Sequence, residues 1–68
     1  MDRTAAIQNV SEEIDRLAKM HILYGLERTA LFQNQKERVI GLVSDYKINV
    51  RTELDPITRN LYQRYLGE

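Results

Sequence analysis

"SDYKINVRTELDPITRNLYQRYLGE", residues 44–68, decides the fold because it supports two incompatible structures. In one, a helix through Tyr46 turns at "KINV", and a second helix starting near Arg51 carries arginines into a DNA groove. In the other, residues 48–54 are a connection, and a short helix from Asp55 closes a hydrophobic core. The dipeptide Asp55 and Pro56 separates them. An aspartate before a helix accepts hydrogen bonds from the first free amides, and proline at the first helical position gives up only an amide that has no partner there. Inside a helix begun at Arg51, Pro56 would instead remove a bonded amide and clash with the carbonyl four residues back. A recognition helix begun at Asp55 would leave a connection over 49–54, longer than the usual turn of about three to four residues. We therefore expect a helix over 55–66. At ~100° per residue, Ile57, Leu61, Tyr62, Tyr65 and Leu66 share one half of it, and Arg59, Asn60, Gln63 and Arg64 the other. The connection over 48–54 is expected to run extended, with Ile48, Val50 and Leu54 alternating toward the core.

Upstream, Ile7, Val10, Ile14, Leu17, His21 and Tyr24 recur at helical spacing and predict a first helix over about 4–24. Asn9 or Ser11, each followed by Glu12 and Glu13, offers a later N-cap, but the stripe continues back through Ile7 and favours the early start. Gly25 is placed to end this helix in a left-handed turn, with Leu26 as the accompanying apolar contact. Leu31, Phe32, Gln35, Val39, Leu42, Val43, Tyr46 and Val50 form the second stripe and predict a helix over about 28–47, with Asn34 as an alternative start. The expected fold class is all-α. It comprises an antiparallel helical hairpin and a short third C-terminal helix, in one small domain paired as a dimeric bundle.

Composition removes several classes of protein. The 68 residues hold ten Lys plus Arg against ten Asp plus Glu, and no cysteine. A disulfide framework and a thiolate metal site are thereby excluded. Positive charge is not concentrated in either half of the chain, as the phosphate neutralisation of a nucleic-acid protein would favour. No apolar run exceeds three residues, so the expected protein neither crosses a membrane nor carries a secretory signal, and its expected location is the cytoplasm.

Few residues carry site chemistry. His21 is the single histidine, and without further ligands at suitable spacing it reads as a partly buried, hydrogen-bonded side chain. "SEEIDRL", residues 11–17, resembles the Ser-Gln-Glu-Leu-Asp signature of the small helical-hairpin aspartyl-phosphate phosphatases of sporulation control. Glu12 replaces the glutamine, Ile14 the leucine, and the motif falls in the first helix where that family has it in the second. The resemblance implies that Asp15 carries the signature's acidic residue. The acidic start and solvated face of an amphipathic helix account for the same residues. No glycine-rich phosphate loop, cysteine nucleophile or metal spacing is present, and no catalytic residue, metal or cofactor is expected.

"MHILYGL", residues 20–26, points apolar side chains in most directions around a helix, more than two small helices can cover. Uncovered apolar surface marks an interface. The expected function is a non-enzymatic module that regulates or inhibits a partner protein, with a homodimer as the simplest self-associated form. Its expected contacts are Ile22, Leu23 and Leu26 as apolar anchors, and Tyr62, Arg64 and Tyr65 near the C-terminus, since tyrosine and arginine are over-represented at binding hot spots. The alternative is a helix-turn-helix regulator touching DNA through Arg51, Arg59, Asn60, Gln63 and Arg64, with Asn60 or Gln63 reading adenine edges; Glu53 and Asp55 in the same region oppose phosphate.

Overall fold

The computed structural model describes residues 2–67. These form four helices, α1 (Arg3–Ile22), α2 (Ala30–Asp45), α3 (Val50–Glu53) and α4 (Pro56–Leu66), with no strand among the described residues. One helix more than expected is present.

α1 begins early because Asp2 caps it, its side chain accepting from the Thr4 amide at 3.3 Å. The helix then runs unbroken through Asn9 and Ser11. Its buried face carries Ala6, Val10, Glu13, Ile14, Leu17 and Ala18. It ends at Ile22, where Gly25 takes a left-handed conformation (φ 60°) and donates its amide to the His21 carbonyl (3.1 Å). Thr29 then closes the turn from both sides, donating its hydroxyl to the Leu26 carbonyl (2.7 Å) and accepting from the Phe32 amide (3.2 Å). That cap starts α2 at Ala30, between the two starts the sequence offered.

α2 ends without glycine. Lys47 occupies the left-handed position (φ 52°), and the amides of Lys47 and Ile48 return to the carbonyls of Ser44 (3.1 Å) and Val43 (3.0 Å). This pair of bonds is the Schellman arrangement, and it delivers Ile48 to the core.

Residues 48–54 are not extended. Asn49 accepts from the Arg51 amide through its side chain (3.1 Å), while the Asn49 amide donates to the Glu53 carboxylate (3.2 Å). These reciprocal bonds satisfy one helical turn locally, and that turn is α3. Ile48 and Leu54 are buried and Val50 packs beside them, so the three apolar residues reach the core from a helical turn. Leu54 itself is extended (ψ 146°) and separates α3 from α4. Asp55 caps α4, accepting from the Thr58 amide at 3.3 Å, with Pro56 in the first turn.

The core joins Val10 and Ile14 of α1, Val39 of α2, Ile48 and Leu54; Leu61, Tyr62 and Leu66 of α4 pack against it half-buried. Three apolar residues that the stripes assigned inward are exposed. Tyr24 lies past the end of α1, Leu31 sits in the first turn of α2, and Ile57 in the first turn of α4 is 73% exposed. Each stands at an element's end, where no facing helix covers it. Glu13 departs the other way, buried between helices and not on a solvated face. Gln35 Nε2 donates to Glu13 Oε1 (2.9 Å) and to the Glu13 carbonyl (3.0 Å), and Arg38 Nε donates to the same carboxylate oxygen (3.1 Å). Further along, Arg3 of α1 reaches the far end of α2, where its guanidinium donates to the carbonyls of Tyr46 and Lys47 (2.8 Å for the latter) and to the Glu53 carboxylate (2.6 Å).

Candidate functional site

The turn from α1 to α2 gathers most of the exposed large apolar side chains. Ile22, Leu23 and Tyr24 are 65%, 64% and 69% exposed, and Leu31 on the other side of the turn is 64% exposed. Their exposure follows from local chemistry. Gly25 stops α1 before Tyr24 can join its buried stripe, and the Thr29 cap starts α2 one turn before Phe32 becomes its first buried residue. Leu26, inside the turn, is half-buried.

The C-terminal end of α4 is fastened to this region. A hydrogen bond of 2.7 Å joins the Tyr65 hydroxyl to His21 Nδ1, and the Tyr65 ring stands edge-on to both the His21 and Phe32 rings, with centroids 5.4 and 6.0 Å away. Of the residues singled out as contacts, Ile22 and Leu23 are exposed at the end of α1, and Arg64 is exposed on α4, on the half of the helix away from Tyr65. Tyr65 is half-buried, with its hydroxyl bonded to His21 and its ring edge-on to His21 and Phe32, and Tyr62 packs on the core. Sequence periodicity missed Leu31, which it counted as core; the signal that finds it is Thr29, a cap residue two positions earlier.

The charged residues of the turn and its flanks are Asp15, Lys19, Glu27, Arg28, Lys36 and Glu37. Lys19 pairs with Asp15 at 3.0 Å on an exposed face, and Lys36 Nζ lies 5.9 Å from the Phe32 ring centre. Asp15, the position implied by the phosphatase resemblance, is thus solvent-exposed on α1 with Lys19 as its neighbour. The five residues of the DNA alternative fall on α3 and α4. Arg51, Asn60, Gln63 and Arg64 are exposed, while Arg59 is half-buried and donates to the Arg51 carbonyl (2.9 Å), tying α4 to α3. Ten residues, 46–55, separate α2 from α4, and α3 lies among them.

Three carboxylates have shifted acidities, and each shift has a local cause. Glu13 is held below the ordinary range first by the Gln35 hydrogen bond, which outweighs its burial, with Arg16 and Arg38 adding to it. The Arg3 hydrogen bond lowers Glu53, and the Thr58 side chain first, with the Thr58 cap amide next, lowers Asp55. None of the three lies on the apolar end, so these shifts belong to folding. Among the described residues no pocket interrupts the surface, no group of three or more His, Cys, Asp or Glu is clustered, and no helix is long and apolar enough to cross a membrane.

No family model matches this chain, and neither a curated protein nor a solved structure matches it.

Proposed function

We propose that this protein is a non-enzymatic interaction module of the cytoplasm that regulates a partner protein by occupying its surface. α1 and α2 act as a helical hairpin whose tip, residues 22–31, makes the contact. One observation carries the reading: Ile22, Leu23, Tyr24 and Leu31 stand about two-thirds exposed at one end of a chain with few fully buried residues to spare. Large apolar side chains grouped on a surface cost free energy in water, about 1.5–3 kcal/mol each relative to full burial, and that cost is recovered when a partner covers them. Tyr24 adds a hydroxyl to an apolar ring, a combination common at binding hot spots. Arg64, exposed on α4, is a further contact in this reading.

The test is affinity capture from the native cell with the whole chain, beside Leu23→Glu and Leu31→Glu, followed by mass spectrometry. Both positions are exposed, so circular dichroism should show the variants as helical as the parent. The expected outcome is a protein retained by the parent and lost from both variants. Retention by all three forms would place the contact elsewhere. Self-association through the same tip is the second form of the reading, supported by the same exposure. In sedimentation it would show as a mass that rises with concentration in the parent and stays monomeric in Leu23→Glu.

A further inference from the structure

We infer that α4 is a releasable strap: it detaches as a unit about the extended residues 54–55, from α1, α2 and α3 that stay folded, and so uncovers part of the core. A domain of this size ordinarily unfolds in one step. The exception follows from how unequally the helices are fastened. α1 contributes six buried residues and α2 three, whereas α4 contributes none. Leu61, Tyr62 and Leu66 lie against the cluster of Val10, Ile14, Val39, Ile48 and Leu54, yet each stays half-buried.

Polar contacts divide the molecule in the same way. Arg3 donates to the Tyr46 and Lys47 carbonyls and to the Glu53 carboxylate, fastening α1 to the end of α2 and to α3. Farther along, the buried Gln35 donates to Glu13, and Arg38 to the same carboxylate, fastening α1 to α2 a second time. α4 takes part in neither. Among the described residues two hydrogen bonds tie it to other helices, one between the Tyr65 hydroxyl and His21 Nδ1 (2.7 Å) and one from Arg59 Nη1 to the Arg51 carbonyl (2.9 Å). The second is exposed, where water competes for both groups. The first is partly buried, with the Tyr65 ring edge-on to Phe32, and is the latch.

Segments with few buried apolar contacts open at lower free energy than the core. Hinges are residues at element ends that absorb a change of backbone angles. Leu54 (ψ 146°) and Asp55 (ψ 161°) stand in extended conformation between α3 and α4. Leu54 is buried and forms the fixed side of the hinge. Once detached, a helix of 11 residues is too short to hold its structure in water, so release frees its amides.

Native-state amide hydrogen exchange of the whole chain, read by NMR in urea below the unfolding transition, tests this. The amides of residues 60–66 are expected to share one opening free energy, lower than that of Ile14 and Val39. Their urea slope should be smaller than the slope at Ile14 and Val39 but not zero, because release exposes part of the surface that unfolding exposes. Tyr65→Phe removes the latch bond and should speed exchange across all of residues 60–66 about fivefold. Gln35→Leu breaks a contact that survives release, so it should speed exchange at Ile14 and Val39 and leave residues 60–66 unchanged. One free energy and one slope shared by every helix overturns the inference, as does an equal effect of Gln35→Leu on α4. Protection graded along α4 without urea slope, or a Tyr65→Phe effect confined to its last turn, is fraying and overturns it too. The slopes of the parent decide the matter even if Gln35→Leu does not fold.

Discussion

Lys47 holds a backbone conformation (φ 52°) that its own Cβ disfavours, at the position where most helices of this ending carry glycine. Lys47→Gly removes the left-handed penalty of about 1–2 kcal/mol, and part of that gain is offset by the extra freedom glycine gives the unfolded chain. The expected result is a higher urea midpoint at an unchanged slope, by about 0.5 kcal/mol. Gly25→Ala, at φ 60°, has the opposite sign and should cost about 1 kcal/mol. The buried pair of Glu13 and Gln35 behaves as a unit. Gln35→Leu strips the Glu13 carboxylate of its nearest donor and should destabilise by about 2 kcal/mol. Replacing both by leucine should recover most of that loss, because Arg38 is largely solvated and returns to water; a double-mutant cycle measures the difference.

Each element is set by its ends, and its acid response follows from them. Asp55→Ala removes the cap of α4 and should lower the urea midpoint. Glu13, Glu53 and Asp55 all bind protons less readily when folded than when unfolded, so their contribution is complete above the ordinary carboxylate range and is lost as pH falls through the folded values. The thermal midpoint should therefore be level near neutral pH and drop below about pH 4.5, near the unfolded glutamate value. In Arg3→Ala the drop should be shallower, since Glu53 loses the donor that lowers it most. The ends also explain what was legible in the sequence. Asp55 with Pro56 and the glycine at 25 are chemical signals written in single residues; the first stands where it predicts, and α1 ends at Ile22, two residues before the expected end at Tyr24. The end of α2 was not legible, because a lysine holds the left-handed position through bonds from Lys47 and Ile48 that composition does not record. α3 was missed for a related reason. Asn49 and Glu53 look like ordinary loop residues until their side chains and amides are seen to pair. Glu13 read as solvated because its partners lie 22 and 25 residues away in sequence.

For the whole molecule, periodicity identified an all-helical chain and the apolar segment 20–26, of which Ile22, Leu23 and Tyr24 are uncovered, but it assigned Leu31, across the turn, to the core. With the core taken up by Val10, Ile14, Leu17 and Val39, all fully buried, the chain keeps four large apolar side chains in water around the α1–α2 turn. The proposed contact module rests on that asymmetry, because a small helical domain that spends all its apolar residues on folding would not show it. Its most direct test places a photo-cross-linking amino acid, in the native cell, at position 23, at position 31 and at the exposed position 12 on α1. Adducts heavier than the chain should form from positions 23 and 31 and not from position 12. Equal yields from all three, or none from 23 and 31 while positions 60 and 63 on α4 cross-link, would contradict a contact surface at the α1–α2 turn.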